Sequence, residues 1–359
     1  MSAEPVKPEA VPSRRELLRA GAGIALAGAV QHVVAQTRPG TMFPVPGPAS
    51  MQPASRPSAS QPPERPATRP AVAPAEPWWM EGARSRVVDV SSDAVFDRAF
   101  VEERTLQQML DAGVQRLTDE RSPEAAWRAI LGNARRIAIK MNSVGDAALR
   151  TNEPLLRALV QCLRAVDIRE PNLTLVEAPI GVPSLLGIST AAEGWQERIR
   201  IDNDDELIAR WWGEVDAVLN IGLLKSHRLA GFSGVLKNLS HAVVRRPARY
   251  HGDRLPICMA GVFGAPVIAQ KLRLNILNAL RVMKNGGPGA APEDVVDAGH
   301  LVIGSDPVAV DAIGRDLLAT LRHPDPFPSP GPDLYLPLLV DRGLGRINWE
   351  ELDHHAVRV

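Results

Sequence analysis

From Arg86 onward, short runs of aliphatic and β-branched residues alternate with amphipathic stretches, and this alternation restricts the chain to an α/β architecture. The runs at 86–90, 136–141, 172–177, 217–221 and 300–304 are short and nearly all apolar, as parallel strands covered on both faces are. Between them, Leu106, Leu110, Val114 and Leu117 recur at helical spacing over 101–117, and 153–166, 205–212, 234–244, 266–282 and 307–320 read as further helices. Thr151 or Asn152 can cap the second helix, with Pro154 in its first turn, and Asp306 before Pro307 starts the last in the same way. The expected fold is α/β, a mainly parallel sheet with helices on both faces. A less regular lobe is expected around 245–300, where Gly261, Gly264 and Gly286-Gly287-Pro288-Gly289 interrupt the pattern.

Two segments ahead of this body do not belong to its core. Residues 1–37 have the layout of a twin-arginine-type signal peptide: Arg14-Arg15, a weakly apolar Ala- and Gly-rich run from Ala20 to Ala35, and Val33-Val34-Ala35 as a small-residue cleavage site before Gln36. An amphipathic N-terminal helix is the competing interpretation of the same stretch. Residues 38–77 hold twelve prolines among Ala, Ser, Gln and Thr, too little apolar area to offset chain entropy, and read as a Pro-rich disordered linker. The globular domain is then 78–359. This arrangement implies the twin-arginine translocase as a partner during export. It also implies a periplasmic or otherwise extracytoplasmic location, membrane-tethered if the signal stays uncleaved, with no integral membrane domain beyond the signal segment.

Charge excludes other classes. Residues 1–77 hold eight basic and five acidic side chains, which leaves 33 basic against 36 acidic in the remainder, so a nucleic-acid groove is not expected. Cys162 and Cys258 allow at most one disulfide and are too few for an iron–sulfur cluster or a thiolate zinc site. No iron–sulfur cluster is therefore expected, and the identity of any other cofactor or metal is left open.

The densest chemistry begins where an apolar strand ends, at Lys225-Ser226-His227, and continues through Gly231-Phe232-Ser233-Gly234 to Lys237-Asn238. Carboxyl ends of parallel strands are where open α/β sheets bind ligands. Ser233 can cap the following helix, whose free amides would attract an anion with help from Lys225 and Lys237. Lys237 and His241 share a face, and Tyr250-His251 follow. A second strand end, Lys140-Met141-Asn142, places a lysine in a run that otherwise reads as buried, and such a lysine needs a partner or a ligand. Glu177 ends a third strand, and Asp306 and Asp311 bracket the last strand-to-helix turn. These carboxylates can pair with the cations, bind a metal or act as acid or base, with helix capping the simpler role for Asp306. There is no P-loop, dinucleotide-binding glycine motif, nucleophile elbow or zincin motif.

The body resembles the domain-of-unknown-function 362 family. The residues that carry the resemblance are Ile139-Lys140-Met141-Asn142, Lys225-Ser226-His227 with Gly231, Ser233 and Lys237-Asn238, Tyr250-His251, Gly287-Pro288, and Ile303-Gly304-Ser305-Asp306-Pro307-Val308-Ala309-Val310-Asp311. Members of that family are often exported or fused to ferredoxin modules, and this chain lacks the cysteine-rich ferredoxin segment. The arrangement is also similar, at the level of fold alone, to nickel-dependent lactate racemase; no nickel is carried over on that basis.

The leading expectation is an exported protein with an anion-binding pocket at the strand ends. Its candidate catalytic groups are Lys225, His227 and Lys140, and its candidate ligand-binding groups are Asn142, Gly231, Ser233, Lys237, Asn238, His251, Asp306 and Asp311. The alternatives are a non-catalytic metal or cofactor carrier, an electron-transfer accessory protein of the cell envelope, and an envelope interaction module.

Overall fold

Nearly unbroken burial along the central strands is what organises the molecule. The computed structural model describes residues 77–287, 289, 291–327 and 335–359. The expected signal segment 1–37 and all of the expected linker but Pro77 lie outside the described residues.

In chain order the strands are β1 (Ser85–Ser91), a short pair β2 (Phe96–Asp97) and β3 (Phe100–Val101), β4 (Ile137–Lys140), β5 (Leu173–Val176) and β6 (Ser189–Thr190). A hairpin of β7 (Trp195–Ile201) and β8 (Asp204–Ala209) precedes β9 (Ala217–His227), β10 (Gly231–Ser233), β11 (Leu272–Met283), β12 (Val295–Gly304) and β13 (Leu352–Arg358). The main sheet runs β13-β1-β12-β11-β9-β4-β5-β6, with β10 paired to β9. Strands β11, β9, β4, β5 and β6 are mutually parallel, β13 is parallel to β1, and β12 runs against both of its neighbours.

Side chains alternate across this sheet and separate two cores. Ile137, Ile139, Leu173, Leu175, Leu219 and Ile221 pack with the helices Glu103–Thr118, Pro123–Leu131 and Asn152–Arg164. Ala138, Val176, Val218 and Leu277 join a core shared with Leu255–Phe263, Pro307–Arg322 and Leu336–Asp341. Each fully buried Leu or Ile contributes roughly 1.5–3 kcal/mol relative to exposure. The chain leaves β4 toward β5 and leaves β9 toward β11, on the other side, so the crevice between the ends of β4 and β9 is a topological switch point.

Three expected helices differ in the structure. Residues 266–282 form only the short helix Pro266–Ala269, and Leu272–Met283 is a central strand. A run buried on every side carries no periodicity that separates helix from strand. Residues 205–212 begin in β8, where Glu206 and Ile208 alternate inward, and turn helical only at Arg210–Glu214. The expected helix 234–244 is a single turn, Val235–Asn238, after which Ala242 takes a left-handed φ of 53°. Asn152–Arg164 is capped by Asp146, whose Oδ1 accepts from the Asn152 N–H at 3.1 Å, rather than by Thr151 or Asn152. Asp306 caps Pro307–Arg322 as expected, accepting from the amides of Val308 and Ala309. His354 and His355 lie in β13, paired with Val87 and Val88 of β1. Cys162 and Cys258 are both free and buried.

Candidate functional site

Lys140 is the last residue of β4 and alternates with Ala138, so it projects onto the face that carries the Val235–Asn238 turn. It is fully buried, and its ammonium donates to Glu177 Oε2 at 2.6 Å, the Met141 carbonyl at 2.7 Å and Asn238 Oδ1 at 2.9 Å. All three ammonium protons are thereby used. Burial pushes its pKa down, against the pull of Glu177.

Asn238 passes this network across the sheet. Its Nδ2 donates to Asn220 Oδ1 at 2.8 Å and to the Ile221 carbonyl at 3.0 Å. Asn220 donates in turn to Asn275 Oδ1 at 2.8 Å and to the Val235 carbonyl at 2.9 Å, and Asn275 donates to the Ser305 carbonyl at 2.9 Å. Each asparagine is buried and partnered, as a polar layer in a low-dielectric interior requires. Neither Asn220 nor Asn275 was singled out from the sequence. The available signal is an asparagine between aliphatic residues at Leu219-Asn220-Ile221 and again at Leu274-Asn275-Ile276.

The turn itself is held from behind by Asp311. Its carboxylate accepts from the Val235 N–H at 2.7 Å and the Leu236 N–H at 3.1 Å. The amides expected to attract an external anion are thus occupied by an internal one, and Ser233 makes no cap. The packing leaves no room for side chains: a Cβ on Gly234 would lie 2.1 Å from Asp311 Oδ1, and one on Gly222 2.7 Å from the backbone of Gly234 and Val235. Burial pushes Asp311 up to about 7.

In front of this layer is a cavity of about 150 Å³ lined by Asn142, Val144, Glu177, Lys225, His227, Ser233, Lys237, His241 and His251. Lys225 and His227 come from the end of β9, and Ser233 from β10, which folds back through Gly231 at a φ of 76°. Lys225 Nζ donates to Asn142 Oδ1 at 3.2 Å and to the Val144 carbonyl. Lys237 Nζ lies 3.2 Å from His251 Nε2. The His251 ring is 5.5 Å from that of His227 and 6.0 Å from that of His241.

These groups shift one another's proton affinities in one direction. Burial, reinforced by the neighbouring Lys237 ammonium, brings Lys225 down to about 7, and burial brings Lys237 down to about 8. Burial and then Lys237 lower His227 to about 3 and His241 to about 4, and lower His251 as well. The histidines are therefore neutral near pH 7. His227 Nδ1 accepts from the amides of Leu229 and Ala230, both at 3.2 Å, which fixes its proton on Nε2. His227 is a fixed hydrogen-bond donor rather than a base.

The structure thus brings Lys225, His227, Asn142, Ser233, Lys237 and His251 to one cavity, with Lys140 and Asn238 in the layer behind it. Gly231 and Asp311 shape the loops. Asp306 spends its carboxylate on Val308, Ala309, Arg346 and Ser85. Glu177 and His241 line the cavity although the sequence suggested only a strand-end carboxylate and a shared helix face. Glu177 also holds a left-handed φ of 53°, a strained conformation of the kind that clusters at functional sites. Among the described residues, no group of three or more His, Cys, Asp or Glu side chains is placed to hold a metal ion. Buried lysine and asparagine side chains joined in this way are consistent with a ligand- or cofactor-binding site.

Among known families, a sequence profile described as "Domain of unknown function (DUF362)" matches residues 137–316, which include every residue of the cavity. No curated protein matches the chain. Several solved structures share a distant likeness, the following two among them. A protein from Thermotoga maritima is 12% identical over 63% of this chain and 60% of its own, with a TM-score of 0.37. The lactate racemase apoprotein from Thermoanaerobacterium thermosaccharolyticum is 10% identical over 64% of this chain and 56% of its own, also with a TM-score of 0.37. The chain therefore spans 60% or less of the length of either structure, and neither likeness bears on ligand or chemistry.

Proposed function

The chain belongs to the domain-of-unknown-function 362 family, and from that premise we propose that its pocket at the ends of β4 and β9 binds the anionic group of a small molecule or cofactor. The observation that carries this is the convergence of two buried ammonium groups, Lys225 and Lys237, with a histidine fixed as a donor on one small cavity. Burying such cations is costly unless a counter-charge arrives, and among the described residues only Glu177, already tied to Lys140, lines the cavity with opposite charge. An anion supplies the missing partner. A carrier that holds its ligand without turnover fits best, because Lys140 is committed to three protein acceptors and His227 cannot take up a proton near neutrality.

Proton transfer is a second reading, and the observation that favours it is Lys225, whose pKa of about 7 suits general acid–base work.

The test is the pH dependence of sulfate binding, measured by calorimetry on the intact protein. Lys225 faces Lys237 and Lys140, which disfavour its charge, and Glu177 and Asp146, which favour it. Sulfate requires the charged form, so affinity is greatest below about 7 and falls as Lys225 loses its proton above that value. Linkage of one proton gives about a tenfold loss per pH unit, steeper once Lys237 titrates as well. His227 and His241, neutral until about 3 and 4, leave a plateau on the acid side. A flat profile from about pH 6 to about pH 9 would contradict the proposal.

Export is part of the proposed role. It is supported by Arg14-Arg15, the weakly apolar run to Ala35 and the proline-rich 38–77, which suit the delivery of a folded domain on a tether. Among the described residues no helix is long and apolar enough to cross a membrane. The protein recovered from envelope fractions of its native host should begin near Gln36 or be held by its leader. Recovery of the full chain only in the cytoplasm would refute export.

A further inference from the structure

A second, larger cavity of about 420 Å³ abuts the charged one at the edge of the sheet. Its walls include Leu175, Val176, Ala209, Trp195 and Trp211, and among the described residues its charged groups are Glu177 and Glu193, with no lysine, arginine or histidine. Trp211 is almost fully buried, and its indole N–H donates to the Ala242 carbonyl at 2.8 Å, which fixes the ring as a wall. Trp195, which also lines the cavity, is 42% exposed.

The two cavities share a wall. Glu177 lines both, and the adjacent residues His241 and Ala242 line one each. Glu177 and Ala242 also share the left-handed backbone, each with a φ of 53°. For a residue with a Cβ this costs on the order of 1 kcal/mol, so the partition is held in a conformation that local preference alone would not choose.

We infer that the ligand is an amphiphilic anion, with its charged group at Lys225 and Lys237 and a flat apolar body against Trp195 and Trp211. The inference rests on the anion-binding reading and names the class of ligand for the same site. The charged cavity, at about 150 Å³, falls short of the roughly 300–1,000 Å³ typical for an organic ligand, and the neighbouring cavity of about 420 Å³ brings the combined space into that range. Glu177, its charge balanced by Lys140, stands where the head joins the body.

Calorimetry with acetate, 2-naphthoate and neutral 2-naphthamide separates the possibilities. The intact protein should bind 2-naphthoate about thirtyfold more tightly than acetate, because the ring buries apolar area, and more than about tenfold more tightly than 2-naphthamide. Lys225→Met should weaken both carboxylates, and Trp195→Ala should lower the ratio of naphthoate to acetate affinity about fivefold. Acetate binding that is absent or indifferent to Lys225→Met would overturn the anion site itself. Acetate binding lost in Lys225→Met, with naphthoate no tighter than acetate, would overturn only the apolar half. Naphthamide binding as tightly as naphthoate would show an independent apolar site and overturn the inference without any variant.

Discussion

Lys225→Met is expected to weaken sulfate binding by at least about tenfold while leaving the fold as stable as before or more so. A charge-assisted hydrogen bond to a bound anion contributes about 1.5–3 kcal/mol, so its loss weakens binding about tenfold to a hundredfold, and more in a site that excludes water. Stability moves the other way for a separate reason. Without a ligand, Lys225 is a cation 2% exposed beside Lys237, and its pKa is drawn down to about 7, so the folded state disfavours the charge it carries. Methionine keeps most of the volume and removes that charge. Its acceptors lose little, since Asn142 Oδ1 retains the Val144 N–H at 3.1 Å and Val144 is 42% exposed to water. A chemical-denaturation midpoint at or above that of the parent, combined with weakened binding, is the expected pair of results. Parent-like sulfate affinity would remove Lys225 from the site.

Asp311→Ala should do the opposite, lowering stability first and binding as a consequence. Two buried amides, of Val235 and Leu236, lose their acceptor, and each orphaned donor costs about 1–3 kcal/mol. Relief of a carboxylate that burial holds at a pKa of about 7 offsets part of this, which leaves a net loss of about 2–4 kcal/mol. The loosened turn carries Lys237 and Asn238, so sulfate affinity should fall although Asp311 does not line the cavity. Urea denaturation with a change below about 0.5 kcal/mol would show that the turn does not depend on this carboxylate.

The sheet was legible because strands such as Ile137–Lys140 and Leu173–Val176 end in abrupt changes of polarity, and the site was legible because those changes coincide with lysines. Lys140 lies 85 residues before Lys225, and the two strand ends come together because β4 and β9 are parallel neighbours. What stayed hidden has two physical causes. Leu272–Met283 is apolar on both faces, and such a run has no period to show whether it is strand or helix. The sequence offers Asp311 as a partner for a cation, a metal ligand, or an acid or base, and nothing local reveals that this acid on one helix closes the backbone of a turn 76 residues away. The same is true of Trp195 and Trp211, whose shared cavity exists only once the β7–β8 hairpin folds against the edge of the sheet.

A crystal soaked in selenate reports on the pocket most directly, because the anomalous signal of selenium locates the anion without reference to activity. The predicted result is a selenium peak within hydrogen-bonding reach of Lys225 Nζ, Lys237 Nζ and His227 Nε2, lost in Lys225→Met. An empty cavity at saturating selenate, or selenium bound only elsewhere on the surface, would contradict the assignment of this pocket to an anion.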